Sequence, residues 1–210
     1  MKKISLLFFL IAAALIVSCS GNSGKSEKKH NPKFDNYAEI DGRADTTLYV
    51  TVLSSDSDSI SVKVMETGRK MSFSLTPAQI NNAIYGDMDE GDSLAIMPDF
   101  KSKTVLSVIN TNIFNGTWWF KDKEGEGLRL NSDGTAQSIG WEDEDVSLRH
   151  WKIYNGKLYL YTIPADGSSY AELPFECTIE YASDDHFVFV EQGDRYDCYK
   201  NDELIVAKVK

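Results

Sequence analysis

Histidine, serine and acidic side chains are the groups that could perform hydrolytic or metal chemistry, and their spacing in this chain favours neither. The three histidines are His30, His150 and His186, and no two of them have the spacing of a zinc-binding His-Glu-x-x-His pair. The chain also lacks the Gly-x-Ser-x-Gly turn that exposes a hydrolase nucleophile and the glycine-rich loop that binds phosphate before a helix. The sequence therefore predicts a protein that is not an enzyme and needs no cofactor.

Two acidic runs are the remaining candidates for metal ligands. Glu142–Asp145 offers several adjacent carboxylates, which suit Ca²⁺, but contiguous acids in a hairpin loop more often face water. Asp87–Asp92 departs from the EF-hand loop because its glycine and terminal glutamate are misplaced. We expect no metal site.

Cys177 and Cys198 are the two cysteines of the chain's body. Both lie in predicted strands of a meander, two strands apart. Next-nearest strands are roughly 9–10 Å apart, beyond the ~7 Å that a disulfide spans between Cα atoms, unless the strands bend. Two alternatives stay open, a disulfide formed in an oxidising compartment and two small buried apolar side chains.

Aromatic residues crowd the chain after residue 113. In a small barrel they would fill the interior, or they would line an apolar pocket for a small ligand. The candidates for either role are Trp118, Trp151, Tyr159, Phe175, Phe187 and Phe189.

The order of predicted strands and one helix in residues 36–110 indicates a small OB-like barrel. Runs of β-branched and apolar residues predict strands at 46–53, 59–66, 70–75, 92–97 and 104–109. Between the third and fourth strands, Thr76 and Pro77 begin a short helix of two to three turns with Ile80 and Ile84 on its buried face, closed by Gly86. Three strands, a helix and two strands are the order of a five-stranded OB-like barrel. The basic groove of a nucleic-acid-binding OB-fold is missing, so we expect no nucleic-acid partner.

The recurring turn signals of residues 113–210 indicate a second, all-β barrel. Turn signals recur about every eight to twelve residues with no helical stretch, which indicates an up-and-down antiparallel meander of eight or nine short strands that closes on itself. Asn155-Gly156 is the clearest two-residue hairpin turn. In residues 158–163, Leu158 and Leu160 share one face while Tyr159 and Tyr161 share the other. One face would fill the barrel, and the other would contact the first domain, a partner or the membrane surface; we expect packing on the first domain.

The N-terminal residues have the pattern of an export signal. Lys2 and Lys3 precede an apolar run that reaches Val17, which is too short to span a membrane. The run ends Ile16-Val17-Ser18-Cys19, which resembles the lipobox of bacterial lipoproteins. That resemblance implies that residues 1–18 are a signal peptide, that Cys19 carries the lipid, and that residues 19–35 are a flexible tether. No acidic residue follows Cys19 directly, which by the Gram-negative sorting rule implies the outer membrane; we expect a periplasmic-facing protein, with surface exposure as the alternative.

The second unit also carries a family resemblance. Gly116-Thr117-Trp118, the run 128–135 and the run 151–160 together resemble the lipocalin-like domains of lipoproteins from anaerobic Gram-negative bacteria. The resemblance implies that Trp118 plugs the closed end of the barrel beneath a basic residue from a late strand. Arg195, the only arginine in a late strand, is the candidate for that partner.

Charge separates the body of the chain from its leader. Of the 22 basic and 32 acidic residues, residues 1–33 hold six and one, leaving 16 against 31 in the body. Such a charge repels nucleic acid and anionic lipid. Two functional hypotheses follow, namely a non-catalytic lipoprotein whose barrel binds a small hydrophobic ligand, and a protein-interaction module such as an assembly factor or an inhibitor of a cationic envelope enzyme.

Overall fold

The computed structural model describes residues 44–141, 146–166 and 172–200. The predicted signal peptide and tether, with the lipid-attachment residue Cys19, lie outside the described residues. So does the acidic run 142–145.

The first barrel is built from alternating strands whose inner faces carry valine, isoleucine and leucine. Val50 and Val52 on the first strand and Ile60, Val62 and Val64 on the second are buried, because a period of two places every other side chain on one face. The strands are β1 (Leu48–Ser55), β2 (Ser59–Val64), β3 (Lys70–Ser74), β4 (Ile84–Tyr85), β5 (Ser93–Asp99) and β6 (Thr104–Asn110).

Parallel pairing of β3 with β6 closes this barrel. The hydrogen-bonded order is β3-β2-β1-β5-β6, with the two-residue β4 added beside β6, and the closing contact joins Ser74 to Thr104. Five main strands and one helix between the third and the fourth confirm the predicted OB-like barrel.

The helix is shorter than predicted. It spans α1 (Thr76–Ile80), a single turn in which only Ala78 is buried. Ile80 is 75% exposed, so its predicted place on a buried face was wrong. The chain leaves the helix because the N–H of Val108 donates to the carbonyl of Ala83, which draws Ile84 into β4 instead.

The second barrel contains eight antiparallel strands, as predicted. They are β7 (Gly116–Phe120), β8 (Gly127–Leu130), β9 (Ala136–Ile139), β10 (Val146–Tyr154), β11 (Lys157–Pro164), β12 (Leu173–Ala182), β13 (His186–Glu191) and β14 (Asp194–Tyr199). Their order is β10-β11-β12-β13-β14-β7-β8-β9. The two ends meet through one bridge between Thr135 and His150 and a 2.8 Å bond from the N–H of Trp151 to the carbonyl of Gly134. The barrel is thus nearly closed, and the fold class is mostly β.

The tip of the β10–β11 hairpin lies against the first barrel. Asn155 and Gly156 have φ of 49° and 76°, as the predicted turn requires. The Oδ1 of Asn155 accepts hydrogen bonds from the N–H and the hydroxyl of Thr46, at 2.9 and 2.7 Å. The Asn155-Gly156 turn, whose residues tolerate the positive φ that it requires, therefore also joins the two domains.

The outer face of β10 and β11 forms the rest of the junction, which agrees with the expectation that one face of residues 158–163 packs on the first domain. The hydroxyl of Tyr49 on β1 donates to the carbonyl of Ile153 at 3.0 Å and accepts from its N–H at 3.1 Å. Lys152 Nζ lies 2.7 Å from Asp45, and the lysine side chain is almost fully buried. Tyr161 lies close enough to contribute, after burial, to the raised pKa of Tyr49. Both barrels belong to one compact unit.

Candidate ligand cavity in the second barrel

Trp118 occupies the closed end of the second barrel, as the resemblance implied. It is fully buried, its Nε1 donates to the carbonyl of Phe114 at 2.8 Å, and the edge of its ring meets Phe187 at a centroid distance of 4.7 Å. Phe114 also contacts Trp151 at 5.7 Å. Gly116, two residues before Trp118, has φ of 125°, a conformation open to glycine. This half of the barrel is packed solid.

The basic partner of Trp118 is Lys200, and the assignment to Arg195 was wrong. Lys200 Nζ lies 4.8 Å from the centroid of the Trp118 ring, and burial lowers the pKa of this lysine. Arg195 is largely exposed on the outside of β14, where its Nε donates to Glu180 at 2.9 Å. Strand alternation was the missed signal, because Tyr196 and Cys198 point inward and Arg195 must then point outward.

The open half of the same barrel contains a cavity of about 210 Å³. Every wall strand presents alternate residues to it, so the lining comes from both the start and the end of the meander. Its lining residues are Phe120, Lys123, Trp141, Val146, Leu148, Leu160, Thr162, Phe175, Cys177, Phe189, Glu191 and Tyr196.

The candidate aromatic residues fall into three groups. Phe175 and Phe189 line the cavity. Trp118, Trp151 and Phe187 fill the closed end, as described above. Tyr159 was misassigned, because it lies on the outer face in a separate cluster with Tyr154 and Tyr161.

The hydroxyl of Tyr159 donates to Glu176, which gives that side chain a polar role outside the barrel. Its neighbours in sequence, Leu158 and Leu160, belong to the barrel core. The predicted split of this strand into two faces is correct, and Tyr159 simply belongs to the other face.

Sequence reasoning did not select Phe120, Glu191 and Tyr196 as site residues. Extending the alternation by two residues from Trp118, Phe189 and Cys198 would have found all three. The aromatic members contact one another, with Phe189 and Tyr196 stacked at 4.8 Å and Phe120 and Tyr196 at 5.4 Å.

Three polar atoms of the cavity wall are shielded from solvent and have no hydrogen-bond partner among the described residues. They are Thr162 Oγ1, Trp141 Nε1 and Glu191 Oε1. Burial raises the pKa of Glu191, and the nearby Asp194 adds to that effect. Buried polar atoms in native proteins are usually paired, so their collection in one cavity indicates a place for a bound molecule.

The two cysteines are free and buried in the structure. Cys177 lies on β12 and Cys198 on β14, with β13 between them. Burial raises the pKa of Cys177 to about 12 and that of Cys198 well above its usual range. Both thiols are therefore protonated near neutral pH, which makes them poor nucleophiles.

The acid–histidine pair on the barrel exterior does not assemble a hydrolase triad. His186 Nε2 lies 2.7 Å from Asp197, and the ring stacks on Tyr199 at 4.4 Å. The nearby hydroxyl of Ser183 bonds to Asp185 and to the backbone carbonyl of His186 rather than to the imidazole. Within the described ranges, no three His, Cys, Asp or Glu side chains group as metal ligands would.

No helix in the part of the chain that the structure describes is long and apolar enough to cross a membrane. The searches of curated proteins and of solved structures gave no significant match. Residues 110–202 match the family model described as lipocalin-like. The match begins at the end of β6 and covers all eight strands of the second barrel. The second barrel of this chain is therefore similar to lipocalin-like domains.

Proposed function

We propose that the lipocalin-like barrel binds a small, largely apolar ligand in its open half and that it does so without catalysis. The cavity of about 210 Å³ is the observation that carries this proposal. Ligand sites are typically concave and mostly apolar, with a few polar groups that orient the bound molecule. The aromatic wall and the three unpartnered polar atoms have this composition.

Cavity size limits the ligand. An engineered apolar cavity of roughly 150 Å³ in another protein holds one benzene molecule, so a volume of about 210 Å³ fits a body of one or two rings. The packed closed end prevents a long acyl chain from passing through the barrel, because Trp118, Trp151 and Phe187 have almost no exposed surface.

Calorimetric titration with indole, a neutral two-ring probe, tests the proposal. Wild-type protein should bind indole saturably. Val146→Trp places a bulky ring in the cavity wall and should weaken indole binding at least tenfold. Arg149→Trp introduces the same ring at an exposed position of β10 and should leave indole binding unchanged. Absence of indole binding by the wild type, or equal binding by both variants with their melting curves intact, would refute the cavity as the ligand site.

We also propose that the protein is anchored in the outer membrane by lipid on Cys19 and faces the periplasm. The support is the sequence Ile16-Val17-Ser18-Cys19 after a short apolar run. Two or more acyl chains give stable anchoring, where one chain gives only marginal binding. Incorporation of radiolabelled palmitate into the wild type but not into Cys19→Ser tests the attachment. Resistance to protease in intact cells, lost when the outer membrane is opened, tests the orientation.

A second candidate function is binding of a cationic envelope protein. It is favoured by the charge of residues 34–210, which contain 16 basic and 31 acidic residues. Electrostatic steering of such a partner weakens with ionic strength. A partner recovered at low salt and released at high salt would support this function, and recovery of none at low salt would count against it.

A further inference from the structure

Glu191 is the acidic side chain of the cavity wall. It follows Phe187 and Phe189 on the inward face of β13, and it pairs in register with the buried Cys177. Its Oε1 is shielded from solvent and has no hydrogen-bond partner within the described ranges. The side chain of Gln192 hydrogen-bonds the same carboxylate, but Oε1 has no donor of its own. A shielded carboxylate oxygen without a donor is unfavourable, and a bound cation that supplies N–H donors relieves it.

Lys123, the cationic side chain among the cavity-lining residues, does not pair with Glu191. Lys123 lies at the rim, with Nζ 6.0 Å from the Phe120 ring and 5.9 Å from the Tyr196 ring. Its ammonium pairs with Glu126 at 3.3 Å rather than with Glu191. The rim therefore already shows that these ring faces accept a cation, while Lys123 leaves the Glu191 carboxylate without an ion pair.

The rest of the wall suits an organic cation. Five aromatic side chains, Phe120, Trp141, Phe175, Phe189 and Tyr196, line the cavity. Aromatic faces attract ammonium groups and pack against flat apolar bodies. Thr162 is 97% buried and its free hydroxyl is a further polar group of the wall that can bond a polar atom of the ligand.

We propose that the cavity takes a small aromatic or similarly flat amine, with the protonated amine paired to the Glu191 carboxylate and the apolar body against the aromatic wall. The inference rests on the ligand-binding function proposed above and names its substrate class. A neutral hydrocarbon leaves the carboxylate unpaired, and an anionic ligand meets repulsion from it. The acidic body of the protein raises the local concentration of cations.

Three probes of one shape test the charge. Phenethylamine, propylbenzene and 3-phenylpropionate share a phenyl ring and a short chain but end in a cation, a methyl group and an anion. Titrated at pH 7, the wild type should bind phenethylamine at least tenfold more tightly than propylbenzene, and 3-phenylpropionate most weakly.

Glu191→Gln removes the charge and keeps the shape of the side chain. This variant should lose the preference for phenethylamine while its affinity for propylbenzene stays the same or rises, which also reports an intact cavity. Asp194→Asn is the matched control, because Asp194 is an exposed neighbour in the hairpin that does not line the cavity, and it should change phenethylamine binding less than threefold.

The outcomes separate this inference from the function on which it rests. If propylbenzene binds the wild type as tightly as phenethylamine does, the cavity binds ligands but the amine assignment is wrong. If the amine preference survives in Glu191→Gln, or is lost equally in Asp194→Asn, Glu191 is not the recognising group. If none of the three probes binds, both proposals fail.

Discussion

At the scale of single residues, the carboxylate on the barrel wall has a consequence for stability. An inward-facing acid that has lost water around one unpaired oxygen, as Glu191 has around Oε1, destabilises the folded state when it is ionised. A side chain that served only packing would be apolar at this position, like Phe187 and Phe189 before it on β13. Residues that oppose stability in this way are found at functional sites.

The ligand-free protein should therefore become more stable when Glu191 is replaced by Gln. Burial raises the pKa of Glu191 in the folded state, so as pH rises from the ordinary glutamate range through the folded-state value, the unfolded chain loses this proton first and stability falls. Glu191→Gln should melt at a higher temperature than the wild type at pH 7.5, and the difference should vanish at pH 3.5. Thermal melts followed by circular dichroism measure this, with Glu90→Gln, the same change at an exposed position of the first barrel, as the control. A wild type that is the more stable of the two at pH 7.5 would contradict the burial of an unpaired charge.

Lys200 and Arg195 offer a second comparison at this scale. Lys200 covers the ring of Trp118, whereas Arg195 makes an exposed ion pair with Glu180. Lys200→Ala should lower the free energy of unfolding by about 1 kcal/mol through loss of the cation–π contact. Arg195→Ala should lower it by less than about 0.5 kcal/mol, since exposed ion pairs contribute little. Urea denaturation measures both, and a larger loss in Arg195→Ala than in Lys200→Ala would contradict the stabilising contact assigned to Lys200.

At the scale of elements, the sequence predicted correctly those strands and turns that depend on side-chain alternation and local backbone conformation. Strands with a period of two, such as β2, and the Asn155-Gly156 turn follow from side-chain alternation and backbone conformation. The length of α1 did not follow, because the pairing of β4 with β6 competes with the helix and is a tertiary effect. The sequence left a filled barrel and a ligand cavity as alternatives, since the division of aromatic residues between packed and open halves depends on how eight strands close.

The β10–β11 turn gives a prediction in which conformation and contact can be separated. Glycine tolerates the positive φ of Asn155 as well as asparagine does, so Asn155→Gly keeps the turn but removes the bonds to Thr46. It should lower the free energy of unfolding by about 1–2 kcal/mol for the lost hydrogen bonds. Asn155→Asp keeps the oxygen that accepts from Thr46 but loses the Nδ2 donor to the carbonyl of Ala44 at 3.1 Å, so its stability should fall between those of Asn155→Gly and the wild type. Equal stability of all three proteins in urea would mean that the contact between the turn and the residues that precede β1 contributes nothing.

At the scale of the whole molecule, the junction determines whether the two barrels behave as one body. The first barrel contributes Tyr49 and Asp45, and the second contributes Ile153 and Lys152. These contacts lie on the outer face of β10 and β11, the strands whose inner faces supply Leu148, Leu160 and Thr162 to the cavity. The first barrel thus supports the wall of the ligand site from behind, which gives it a structural role that requires no ligand of its own.

Tyr49→Phe tests that role. The substitution keeps the buried ring but removes the hydroxyl that bonds both the N–H and the carbonyl of Ile153. Leaving a buried backbone group without its hydrogen-bond partner typically lowers the free energy of unfolding by about 1–3 kcal/mol. Unfolding should therefore begin at a lower denaturant concentration. Because the loss is concentrated between the barrels, the single transition of the wild type should also broaden or divide. Indole affinity should fall as β10 becomes less firmly held, while Tyr181→Phe, a change at an exposed tyrosine, should alter neither property. If Tyr49→Phe unfolds and binds indole as the wild type does, the barrels are independent and the first one has another purpose.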